Sequence, residues 1–260
     1  MDSLPQQRYA HPDQHFKGGE CLAKYPIRLD DDARFMRLMG WIFLLITFGG
    51  FVPTYFIPLA RGEFVTFNEW MHPHAIVSFV FAILFLAQPW LILERNWRWH
   101  KYIGWVLAAL VAGAVITGVA VQLAAWPTVP EDNTNRSPAS FRLFQLLPTL
   151  AGFFIAAVLL RKRQDWHWRL MFHAAYAPMG TAFGRFVRMV PDLPAGGGPV
   201  LSGLLLAGLV AFALSDKIRY GRVHSANWIG LAFYIATVPL SLWISNTDWF
   251  VQLSLGPNAP

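Results

Sequence analysis

The sequence predicts an all-α integral membrane protein, a bundle of about seven transmembrane helices. Three observations carry that prediction. The first is composition: 55% of the 260 residues are hydrophobic and only 14% are charged, where soluble domains carry about 25% charged residues. The second is the recurrence of long apolar runs. The third is where positive charge falls between them. Twelve Trp and 21 Phe fit a lipid-facing surface bordered by aromatic belts. The one cysteine, Cys21, excludes an intramolecular disulfide framework and a Cys-rich metal site.

Residues 1–40 are polar, with as many Asp and Glu as Lys and Arg, and lack the apolar core of a signal peptide. They read as a cytoplasmic N-terminal tail with a short interfacial helix at Asp30–Met39. Residues 41–250 form the transmembrane domain, and 251–260 a short C-terminal tail. The domain contains seven apolar runs: Trp41–Leu59, Ala75–Leu93, Ile103–Trp126, Phe141–Leu160, Leu170–Val190, Pro199–Leu214 and Trp228–Trp243. A spanning helix needs about 20 such residues. Five runs meet that length; the sixth and seventh draw on their flanks.

Lys and Arg concentrate on the cytoplasmic side of membrane proteins. With the N-terminus inside, 16 of the 21 Lys and Arg fall in the tail and the turns "LERNWRWHK", "RKRQDWHWR" and "SDKIRYGRVH". This orientation places the C-terminus in the periplasm. It also explains the net charge of +6 without a nucleic-acid partner; the expected partner is the lipid bilayer.

The fifth run carries the candidate chemistry. At 100° per residue, His173, Ala177, Gly180, Thr181, Gly184 and Arg188 share a stripe, with Arg185 at its edge. Arg188 lies near enough the outer end to snorkel to headgroups; Arg185, roughly a turn deeper, is expected to be buried. On the fourth run, Arg142, Gln145 and Thr149 are spaced i, i+3, i+7 and are expected to share a face. Packing the two stripes together would give an outward-facing pocket rimmed by Arg142, Gln145, Thr181 and Arg185, with Gln122 and His74 completing it. Guanidinium groups without a carboxylate suit an anionic guest, such as a lipid phosphate or carboxylate, or the polar head of a quinone. The competing expectation is a structural polar network.

A b-type haem near the inner face would draw its axial ligands from His100 and either His173 or His224. No metal site follows from His72 and His74, which have no further ligands nearby. The seventh run has no lysine for a retinal Schiff base. No zinc-protease, nucleophile-elbow or P-loop motif occurs. No run contains Asp or Glu, which argues against an acidic proton or cation relay. Catalysis is therefore not indicated, although a His-based enzyme is not excluded.

The motif "HWRLMF" from His167, followed by Gly184–Arg185 on the same run, resembles a family of uncharacterised bacterial multi-spanning membrane proteins with an H-x-R-L-M motif and a later G-R pair. Upstream, His74, Gln88 and "WHKYIGW" are similar to that family's histidine-led span and H-R-x-L-G-W turn. The likeness covers roughly Met71 to Arg188. Lys101 replaces the more usual Arg, and His173 falls where an apolar residue is usual. The resemblance implies a helical bundle in the bacterial inner membrane and no known activity. The residues themselves leave three functions open: a binder, transporter or accessory subunit for an amphipathic anionic or quinone-like ligand; a redox protein with one b-type haem; or a structural membrane protein.

Overall fold

The computed structural model describes residues 28–66, 68–125, 136–193 and 197–255. Most of both predicted tails, residues 1–27 and 256–260, lies outside them. Among the described residues the regular structure is entirely helical. Six helices are long and apolar enough to cross a membrane: α1 (Leu29–Ala60), α2 (Met71–Leu93), α3 (Trp97–Ala124), α4 (Ala139–Leu159), α7 (Gly198–Tyr220) and α8 (Ser225–Ile244). The fifth run forms two shorter helices, α5 (Gln164–Tyr176) and α6 (Met179–Arg188). A final short helix, α9 (Asp248–Leu255), follows.

The first helix begins well before the apolar run and includes the segment expected to form a separate interfacial helix. Asp30, Asp31 and Asp32 occupy its first turn, where the amide dipoles favour negative charge. The seventh run, on α8, begins from a histidine cap: His224 Nδ1 accepts the Ala226 amide.

Helices α1 and α4 each contain a π turn, at Val52–Phe56 and Arg142–Leu146. In both, a proline stands two residues beyond the turn, Pro58 and Pro148. A proline has no N–H for the carbonyl four residues earlier and its ring clashes with it. That carbonyl belongs to Thr54 in one case and Phe144 in the other, each inside the widened turn. The π turn thus accommodates the proline without breaking the helix. Pro178 has the opposite outcome: it separates α5 from α6, and the Thr181 hydroxyl donates back to the Pro178 carbonyl at 2.8 Å.

The least apolar segment is the most enclosed. On α5, seven of 13 residues are buried, from Arg169 through Tyr176 with only Met171 left out. This helix packs against α4, α8 and α1, while α6 packs against α1 and α7. Phe172 stacks on Phe212 at 3.4 Å between ring centroids, and Phe43 and Tyr176 extend the aromatic core. Conversely, the apolar helices expose their side chains: Leu45 is 67% accessible, Leu159 71% and Ile218 84%. Large apolar side chains on the outside, with the buried polar groups kept inside the bundle, are what lipid solvation selects. The chain is a polytopic membrane protein.

The turns α2–α3, α4–α5 and α7–α8 gather at one end, together with the start of α1. Asp30 pairs with Arg95 there, and Asp32 with Arg219. This is called the basic end below. Ile244 and the fully buried Phe250 of α9 close part of the opposite end against Ala139.

Candidate functional site

Two polar clusters lie at opposite ends of the bundle. At the basic end, Arg169 of α5 and Asp216 of α7 form an ion pair whose side chains are 1% and 0% accessible. Arg169 donates Nε to Asp216 Oδ1 at 3.0 Å, and its Nη2 makes a shorter bond to the same oxygen. Asp216 Oδ2 accepts the His224 amide at 2.8 Å and the Asn227 side-chain amide at 3.2 Å. Asn227 Oδ1 in turn faces His173 Nε2 at 3.1 Å. Arg169 also donates to the Asp165 carbonyl, and the Asp165 carboxylate meets His224 Nε2 at 3.2 Å. A second pair, Asp32 with Arg219 and the Tyr220 hydroxyl, ties the start of α1 to the end of α7. Trp168 and Tyr220 stack against the Arg169 guanidinium.

This cluster corrects the expectation that no span contains an acid. Asp216 and Asp32 both lie within membrane-length helices, because α7 runs six residues past the predicted end and α1 begins twelve before its predicted start. The buried face of α7 is Leu205, Leu209, Phe212, Ala213 and Asp216. Continuing that helical period by one turn past the apolar run lands on the aspartate.

The same cluster accounts for two of the three haem candidates. His224 has both ring nitrogens engaged, Nδ1 as a helix cap and Nε2 on Asp165, so nothing in its geometry supports an axial-ligand role. Burial, and secondly the charge of Arg169, lower its pKa from the ordinary imidazole value, while Asp165 and Asp216 oppose the shift. His173 is engaged by Asn227. His100 lies elsewhere, at the start of α3, electrostatically beside His167, and its Nδ1 has no partner among the described residues. No group of three or more His, Cys, Asp or Glu suited to a metal ion occurs among the described residues.

At the far end the arginines gather. Arg142 donates Nη1 to Gln122 Oε1 at 3.0 Å. Arg185 donates Nη1 to Thr54 Oγ1 at 2.7 Å and lies 3.8 Å from the Phe51 ring centroid. The charges of Arg185 and Arg188 both act on Arg142. Arg188 is exposed and Arg185 half-buried. His74 Nδ1 meets Thr117 Oγ1 at 3.0 Å, and the Thr117 hydroxyl is already committed to the Gly113 carbonyl. His74 therefore carries its proton on Nδ1 and leaves Nε2 as an acceptor. Thr54 is likewise committed to the Gly50 carbonyl and receives Arg185 on a lone pair. Among the described residues, the groups that accept hydrogen bonds from Arg142 and Arg185 are neutral. Among the described residues no carboxylate comes within ion-pair distance of Arg142, Arg185 or Arg188.

The structure thus brings Arg142, Gln122, His74 and Arg185 to one end and leaves Gln145 and Thr181 out. The shared face expected for Arg142, Gln145 and Thr149 is not formed, because the π turn at Arg142–Leu146 breaks the 100° phase between them. Arg142 turns toward α3, while Gln145 and Thr149 turn inward to a cavity beside His173. The expected packing of the fourth and fifth runs along their outer halves is kept only where Gly180 lies against Phe141; α6 packs mainly on α1, where Gly50 lies against Ala182 and Gly49 against Phe186. Thr54 and Phe51, which sequence reasoning missed, are the consequence. Their only advance signal is the pairing of Thr54 with Pro58 four residues on.

No family model matches this sequence, and no curated protein or solved structure matches it.

Proposed function

We propose that the protein is a non-enzymatic binding, transport or accessory protein of the bacterial cytoplasmic membrane, holding the polar head of an amphipathic anionic or quinone-like ligand at its arginine end. One observation supports this above the others: Arg142, Arg185 and Arg188 share an electrostatic environment that, among the described residues, contains neutral acceptors and no acid. Unpaired charge at membrane depth is costly, so a phosphate, carboxylate or carbonyl head would be drawn there. Guanidinium groups suit such heads because they donate in a planar fork. In this reading α5 and α6 together make a seventh crossing, the basic end is cytoplasmic, and the arginine end opens to the periplasm. The likeness of "HWRLMF" and Gly184–Arg185 to bacterial inner-membrane proteins agrees with that placement.

The test uses protein reconstituted in nanodiscs, with phosphatidylglycerol or a ubiquinone as probe and phosphatidylcholine as control. Native mass spectrometry should find the probe retained by the wild type and lost from Arg185→Ala and Arg142→Gln, with both variants still folded. Equal retention by all three proteins would refute the assignment.

A further inference from the structure

A second site, independent of the arginine end, lies in the middle of the bundle. Gln145 and Thr149 of α4, His173 and Tyr176 of α5, and Tyr234 of α8 line one cavity. Its volume is about 20 Å³, against the roughly 10–15 Å³ that one water requires on the same measure. Gln145 is 4% accessible, and its side-chain amide has no hydrogen-bond partner among the described residues. An enclosed amide is ordinarily hydrogen-bonded, and the cavity beside it leaves room for the partner.

The hydrogen bonds around the cavity fix the chemistry of that occupant. Asp216 is an acceptor, so the Asn227 amide must turn its NH₂ toward it. Asn227 therefore presents its oxygen to His173, and His173 must donate from Nε2. Its Nδ1 is left as a bare acceptor. No acid touches the ring, whose other neighbours are Phe153, Phe172, Phe212 and Gly230. The Tyr176 hydroxyl donates to the Leu205 carbonyl and that of Tyr234 to the Ser202 carbonyl. Thr149 donates to the Gln145 carbonyl. Each of these hydroxyls thus offers lone pairs only. The Gln145 NH₂ is the one lining side chain with a proton left to give.

We infer that this cavity is a binding site for a single small, uncharged, donor-rich molecule: water, or a molecule of the same size and hydrogen-bonding character such as ammonia. An anion would find one donor facing several acceptors. An apolar guest would leave Gln145 and His173 unsatisfied. The Asp216–Asn227 arrangement is a tautomer lock on His173 rather than a proton wire, because an amide holds its protons and passes none along.

The experiment is nitrogen-15 histidine NMR on the full chain in nanodiscs, with the His173 signals assigned by their loss in His173→Gln. The expected result is a proton on Nε2, a bare Nδ1, and a contact from Nδ1 to a slowly exchanging water. Adding nitrogen-15 ammonia at mildly alkaline pH separates the two guests: the contact stays with water, or moves to the labelled nitrogen. In Gln145→Leu the contact should be lost while the Nε2 proton remains, since Asn227 still sets it. A wild-type His173 protonated on Nδ1, or one that touches neither guest, overturns the inference whether or not Gln145→Leu folds.

Discussion

Replacing Asp216 by Leu tests how the basic-end cluster holds the bundle. Asp216 accepts two bonds from Arg169, one from the Asn227 amide and one from the His224 backbone. Removing one member of a buried pair costs about 3–5 kcal/mol, because the surviving charge stays buried. The two other donors would each add about 1–3 kcal/mol if left unmet. Relaxation offsets part of this, so a loss of at least 4 kcal/mol or so is expected for Asp216→Leu. Adding Arg169→Met removes the orphaned charge and fills the space with an unbranched apolar chain. The double variant should recover about 3 kcal/mol or more of the single variant's loss, the residual cost coming from Asn227 and His224. Equilibrium unfolding of the four proteins of this cycle in mixed micelles measures the coupling. A single-variant loss below about 1 kcal/mol, or a double variant no better than Asp216→Leu, would refute the view that an uncompensated charge dominates.

His224 gives a pH prediction. Its folded pKa is lowered, so the unfolded chain binds its proton first and stability falls as pH drops below about 6.5. Burial and the charge of Arg169 disfavour the imidazolium, and a proton on Nδ1 would also displace the Ala226 amide that it accepts. His224→Asn keeps a capping acceptor and should flatten the acid side of a thermal-stability profile; an unchanged profile would exclude His224 as its source. Gly208→Ala would place a methyl 1.9 Å from the Tyr176 hydroxyl, and Gly230→Ala one 2.2 Å from the His173 ring, each expected to cost about 1–3 kcal/mol by overpacking. Gly203→Ala, with open space at its Cβ, should be neutral or slightly stabilising in the same melt. Thr54→Val removes the acceptor of Arg185 and should lose about 1.5–3 kcal/mol, the usual range for a bond to a charged group; a change within error would mean that Phe51 alone suffices.

Hydropathy made the membrane bundle legible, because a lipid-facing surface must be apolar whatever the helices do inside. Arg142, Gln122, His74 and Arg185 were also legible as residues of one end, since depth follows from position along a run. What failed was azimuth. The pairing of Arg142 with Gln145 assumed an unbroken α-helical phase, and a π turn leaves no mark in hydropathy. Asp216 was lost for a different reason: the apolar run was ended at Leu214, although the buried period of α7 continues to the aspartate. Arg169 was counted with the cytoplasmic charges, whereas it stands one turn before Phe172 and His173 on the enclosed face of α5. In both cases the charge was read as marking the helix end, while its partner in the bundle allowed the helix to carry it inward.

The two π turns have a consequence for how the gene can vary. Each is one residue wider than the α-helical turn that would replace it, so deleting a residue within Val52–Phe56 or Arg142–Leu146 would restore a regular ladder except at the nearby proline. The helix would survive with nearly the same length and hydropathy. Because a π turn takes up its extra residue within the turn itself, the flanking helix faces would keep nearly their present phase. The change would be confined to the turn, where Thr54 meets Arg185 and Arg142 meets Gln122. Diverging copies of the chain are therefore expected to tolerate a one-codon deletion at these two places better than elsewhere in the spans, where it would turn one part of the helix against the other.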